Sequence, residues 1–240
     1  MKGAVVFNGI HALDFEAIRC NVVRIPEVLK RIRDAQKIWD DVDCPQGLEL
    51  GNFIASDNEV FLNNIRLKSL ISAVVQIGLY DRYLRSFGVP ECLMGSINGD
   101  SALAVAVGLY SFEDMVRNSA AVLNRSSSDN RGGGDAPLVL SGISLVKFAA
   151  FERLEVDGRQ TFAEVKTDGR DFSTLVVKMI EERRVKRFVN VGPGNLLLKR
   201  QGTELELAEV QILESIDIDP MLNWFWPEMK GSTVAAAMAQ

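Results

Sequence analysis

From Arg66 to Phe87 the chain places apolar residues on nearly every side of a helix: Leu67, Leu70, Ile71, Val74, Val75, Ile77, Gly78, Leu79 and Leu84. A helix with one apolar stripe can lie at a surface. One that is apolar on most faces must be covered from several directions. This segment therefore demands a sheet or other helices packed around it. Gly88-Val89-Pro90 ends it.

The flanking segments supply that cover. Lys2-Gly3-Ala4-Val5-Val6-Phe7-Asn8-Gly9 reads as a buried strand followed by a tight turn. Ile25, Val28, Leu29, Ile32 and Ile38 mark an amphipathic helix with Pro26 in its first turn. Lys30, Arg31, Arg33 and Lys37 form its solvated face. After Pro90, the strand-like Glu91-Cys92-Leu93-Met94 meets Gly95-Ser96-Ile97-Asn98-Gly99-Asp100. A helix of small residues follows from Ser101 to Tyr110. Strand, glycine-flanked turn and small-residue helix make an α/β unit. The next helix runs from Phe112 to Leu123, with Ser111 as N-cap and Asp114 at the third helical position.

Arg125 to Asp135, RSSSDNRGGGD, reads as a flexible loop. Beyond it, Leu138 to Phe151 is β-compatible, and Glu152 to Val165 alternates around Asp157-Gly158, a hairpin dipeptide. Phe172 to Arg184 is an amphipathic helix through Leu175, Val176, Met179 and Ile180. Val185 to Val191 is a strand ending at Gly192-Pro193-Gly194. The order predicts one α/β domain over residues 1–240, a mostly parallel sheet flanked by helices.

The chemistry available to such a domain is narrow. The chain has one histidine, His11, so a histidine base must be His11, and a multi-histidine metal site cannot be built. A net charge of -5 argues against a nucleic-acid binder. Cys20, Cys44 and Cys92 form no CxxC pair, which favours free core thiols over a zinc or disulfide framework. No stretch is long and apolar enough to span a membrane, and the apolar start is too short for a secretory signal. A cytoplasmic protein without membrane contact is the expectation.

Four stretches resemble the malonyl-CoA:acyl carrier protein transacylases and the acyltransferase domains of polyketide synthases. Val5 to Gly9 is similar to the opening strand and its turn. Leu70 to Tyr80 with Gly88-Val89-Pro90 is similar to the segment before the nucleophile. Gly95 to Asp100, Ala102 to Val107 and Ser111 to Asp114 are similar to the nucleophile elbow and the helices after it. Phe188 to Gly194 is similar to the late strand and its Gly-Pro-Gly turn. The resemblance implies the large-subdomain, α/β-hydrolase-like core of that family. The small ferredoxin-like subdomain is missing, with the loop at 125–135 in its place.

The resemblance also locates the family's chemistry, and the residues that perform it are absent. In that family a serine at the elbow tip is the nucleophile, a distant histidine takes its proton, and an arginine binds the malonyl carboxylate. A glutamine supports the oxyanion. Here the nucleophile position is Ile97, the glutamine position is Ile10 and the arginine position is Val122, five residues past Arg117. No histidine lies beyond His11. Gly95, Asn98 and Gly99 complete the vestigial elbow. The alternative catalyst is a Ser96–His11 pair with Asp100, which would make a rebuilt transferase or thioester hydrolase. Against it stands the ordinary reading of a capping serine and a turn histidine. Cys92, inside an apolar run, is expected to be an inert thiol.

On this resemblance the chain is expected to be a pseudoenzyme of fatty-acid or polyketide biosynthesis. It has no resident cofactor, though acyl-CoA or a phosphopantetheine group is a possible ligand. Its partners would be an acyl carrier protein, a synthase subunit or a second copy of itself. The run Arg183, Arg184, Lys186 and Arg187 reads as a cationic helix end or as a dock for an acidic carrier protein. Trp224, Phe225 and Trp226 read as core cover, or as an interface anchor if exposed.

Overall fold

A computed structural model describes residues 2–7, 24–42, 48–55, 64–97, 102–129, 147–166, 171–191 and 210–214 of the chain. In order, these form β1 (Lys2–Phe7), α1 (Pro26–Asp40), α2 (Leu50–Ala55), α3 (Ile65–Phe87), β2 (Cys92–Ile97), α4 (Ala102–Ala106) and α5 (Phe112–Asp129). Then come β3 (Lys147–Val156), β4 (Arg159–Glu164), α6 (Phe172–Glu181), β5 (Val185–Val191) and β6 (Gln211–Glu214).

The strands form one sheet in the order β4-β3-β2-β1-β5-β6. β2, β1, β5 and β6 run parallel. β3 pairs antiparallel with both β2 and β4, so the sheet is mixed rather than mostly parallel. The cause is partly local. Asp157 and Gly158 take positive φ angles of 52° and 72°, the two left-handed positions of a tight hairpin turn, and such a turn joins only antiparallel strands.

Successive strand residues face opposite sides, and the two sides bury different sets. Val5, Phe7, Leu93, Ala149, Phe151, Val189 and Val191 meet α1, α3, α4 and α5 on one face. Ala4, Val6, Cys92, Met94, Ala150 and Phe188 meet Phe172, Leu175, Val176 and Met179 of α6 on the other. This is an α/β protein with helices on both faces of its sheet.

α3 is the centre of the larger layer. Every residue from Leu70 to Tyr80 is buried, as an all-round apolar helix requires. The Asn64 side chain caps its start by accepting from the Leu67 amide at 3.2 Å. Gly88, at φ 76°, ends it by donating to the Leu84 carbonyl at 2.9 Å. Gly78 lets α1 press in: a Cβ there would lie 2.6 Å from Val28 Cα. The α5 start forms the expected capping box. Ser111 Oγ accepts from the Asp114 amide at 3.0 Å, and the Asp114 carboxylate accepts from Ser111 N–H at 3.3 Å.

Three expectations change. The helix expected to stop at Leu123 continues to Asp129, so residues 125–129 of the expected loop are helical. Extending a formed helix costs far less than nucleating one, which outweighs the weak propensity of serine and asparagine. Arg31 is not merely solvated: it makes a two-pronged contact with Asp81 of α3, at 2.5 and 3.1 Å, and lies over the Phe112 ring at 4.8 Å. The Arg183–Arg187 run is not a helix end, since α6 stops at Glu181 and β5 starts at Val185. No helix among the described residues is long and apolar enough to cross a membrane.

Candidate functional site

β1, β2 and β5 finish at the same edge of the sheet, with Phe7, Ile97 and Val191 as their last residues. In α/β sheets the carboxyl edge, where successive connections leave the sheet to opposite sides, is where ligands bind. Here the chain leaves β1 toward α1 and α3 and returns to β5 from α6 on the other face. The end of β2 therefore lies at the edge where a site belongs. β2 ends at Ile97, and the small-residue helix α4 begins at Ala102.

Gly95 owes its identity to packing within the strand. It faces Phe7 across the β1–β2 ladder and Ala149 across the β2–β3 ladder. Its φ of 151° is one that residues with a Cβ rarely adopt, and a Cβ there would overlap the Phe7 carbonyl oxygen. The glycine serves the close approach of β1 and β2, and by doing so brings the end of β2 against β1.

Ile97 is half-buried and packs on the α3 side of the sheet. A branched hydrocarbon there can neither give nor take a proton, nor form a bond to an acyl carbon. Ser96 is adjacent but the strand pleat turns it to the other face, with Cys92, Met94 and α6. Ser96 and Ile97 therefore serve different surfaces, as the geometry of adjacent strand residues requires. Val122 lies within α5. Arg117, one turn earlier, is held by Glu113 at 2.8 Å and approaches Asp41 at 4.0 Å, so its charge is already engaged. Ile10, His11, Asn98, Gly99, Asp100, Gly192-Pro193-Gly194 and Trp224-Phe225-Trp226 lie outside the described residues, as do Cys20 and Cys44.

The Cys92 thiol is buried, and burial pushes its pKa up to about 11, with Glu152 and Glu91 adding to the rise. That is the opposite of an activated nucleophile. Tyr80 packs edge-on against Phe7 at 5.3 Å, and burial raises its hydroxyl well above the usual range. No group of three or more His, Cys, Asp or Glu placed to hold a metal ion occurs among the described residues.

Buried polar residues near this edge have only a faint signal in the sequence. Ser72 and Gln76 lie two turns and one turn before Tyr80 on α3, and Asn190 is fully buried one residue from the end of β5. Each is a polar letter interrupting an apolar run, as in AVVQIG and FVNV. Comparison with family models, with curated proteins and with solved structures finds no match to this chain.

Proposed function

We propose that the chain is a non-catalytic homologue of the malonyl-CoA:acyl carrier protein transacylases, with a shortened large-subdomain core. Its role is that of a partner or scaffold in fatty-acid or polyketide biosynthesis. The observation that carries this reading is Ile97: the side chain that ends β2, ahead of the small-residue helix α4, is a hydrocarbon. Acyl-CoA or a phosphopantetheine arm is the ligand this reading allows, and a carrier protein, a synthase subunit or a second copy is its partner.

Incubation with radiolabelled malonyl-CoA, followed by denaturing electrophoresis, tests the proposal. No covalent label above background is expected, in the wild type and in Ser96→Ala alike. Stoichiometric loading of the wild type would overturn it. Isothermal titration with CoA and with a holo carrier protein then separates a binding module from a scaffold that recognises neither.

A further inference from the structure

β3 is longer than the strand it pairs with on its inner side. β2 pairs with Lys147 to Glu152, while Arg153 to Val156 pairs with β4 alone among the described residues. The hairpin therefore runs past the sheet as a two-stranded ribbon. Arg153 holds its base. Its amide donates to the Glu91 carbonyl at 2.8 Å and its guanidinium to the Val89 carbonyl at 2.9 Å. Leu154 and Val156 continue the side of β3 that carries Ala150, the α6 side, and they are 43% and 52% exposed. A two-stranded ribbon is marginally stable in water, and large apolar side chains displayed on one ask for cover.

The outer edge of this ribbon is open among the described residues. β4 ends the sheet order and pairs only with β3. Its hydrogen-bonding pattern fixes which groups face outward. The Val165 amide donates to the Ala150 carbonyl at 2.8 Å, and an antiparallel ladder bonds at every second residue. Arg159, Thr161 and Ala163 therefore bond to β3, whereas Gln160 and Phe162 turn their N–H and C=O groups away from it. Edge strands are usually blunted by shortness, proline, lysine or a bulge. β6, at the other edge, spans four residues. β4 spans six, with no proline, no lysine and no break in register.

We infer that β4 is a dimer interface, at which two copies of the chain pair their β4 strands antiparallel into one continuous sheet. Symmetry selects the register. A two-fold axis perpendicular to the sheet keeps every residue on its own face, so it must pass between one residue and the same residue of the second copy. Phe162 is the middle of the outward-bonding positions 160, 162 and 164. With Phe162 on the axis, Gln160 lies opposite Glu164 of the second copy, Thr161 opposite Ala163 and Arg159 opposite Val165. No like charges meet, and an amide faces a carboxylate, so the edge is complementary to itself. Val156 stands beside Arg159 in the hairpin, so the same register carries it toward Val165 of the second copy, a member of the apolar cluster under α6. The scaffold function allows a second copy as partner, whereas this interface rests on the sheet edge alone.

Sedimentation velocity of the full chain over a range of concentrations tests it. The mass should rise from 26.5 kDa toward twice that value as the protein is concentrated. Gln160→Pro removes an outward N–H and leaves the bonds between β3 and β4 in place, so it should weaken association at least about tenfold. Leu109→Ser removes an apolar side chain that is 57% exposed between α4 and α5, and it should leave association unchanged. Hydrogen exchange on the wild type carries the test if Gln160→Pro fails to fold. The Gln160 and Phe162 amides should exchange quickly in dilute protein and slowly in concentrated protein, while the Thr161 and Ala163 amides stay protected in both. A monomer at every concentration, a dimer whose Gln160 and Phe162 amides stay unprotected, or a dimer indifferent to Gln160→Pro would each overturn the inference. So would protection of those two amides in the monomer, because another part of the chain would then cover the edge. Malonyl loading is read independently, so loss of the scaffold function and loss of this interface give different results.

Discussion

The carbonyl oxygen of Phe7 occupies the space that a Cβ on Gly95 would need. Because Gly95 is flanked by β1 on one side and β3 on the other, the collision cannot be relieved by shifting a side chain. Gly95→Ala should therefore destabilise the fold by about 3 kcal/mol or more, well beyond the effect of an ordinary surface substitution. Urea unfolding checks this. A change below about 1 kcal/mol would mean that β1 and β2 are not so closely joined.

Gly78 makes the same argument between helices. An alanine in a helix interior ordinarily gains about 1 kcal/mol over glycine. Here the new methyl would meet the Val28 backbone at 2.6 Å, and α1 would have to move away from α3. Gly78→Ala should thus be destabilising by about 1–3 kcal/mol, reversing the propensity effect. Gly51, which has open space around it, serves as a control: Gly51→Ala should not be destabilising.

These two glycines show what a sequence displays and what it conceals. The hairpin at Asp157-Gly158, the capping box of Ser111 and Asp114, and the bounds of β5 were legible, because each depends on residues close along the chain. Gly78 was legible only as one more residue of an apolar helix. Its reason is Val28, fifty residues away and on another helix. Arg31 looked like part of a solvated face for the same reason, since Asp81 and Phe112 reach it only through folding. The antiparallel pairing of β3 with β2 joins segments separated by two helices, so no local pattern foretells it. At the candidate site, the strand and the small-residue helix were legible, but Gly95, Ser96 and Ile97, expected in the turn, continue the strand, because they pair with β3, a partner brought in from far along the chain.

Arg31 and Asp81 join α1 to α3 through a half-buried forked contact, and the Phe112 ring of α5 backs the guanidinium. A double-mutant cycle of Arg31→Ala and Asp81→Ala should give a coupling of about 1 kcal/mol, at the upper end for pairs that water still reaches. Arg31→Lys should recover little of it, because an ammonium cannot form the fork or lie flat on the ring. Full recovery by lysine would reduce the contact to simple charge attraction.

Burial of Cys92 couples stability to alkaline pH. Its thiol titrates at about 11 in the folded chain against an ordinary value of 9.0. Between these values the unfolded chain has lost the proton and the folded chain keeps it. The folded state then binds more protons, so stability falls as pH rises through this window, by at most about 1.4 kcal/mol per pH unit. Below pH 9 the contribution is complete and the curve from this group is flat. Urea unfolding of the wild type and of Cys92→Ala across the window isolates the effect, since Tyr80 and Tyr83 titrate alike in both. The wild type should lose more stability with each pH step than the variant. Parallel curves would mean that the thiol meets water in the folded chain.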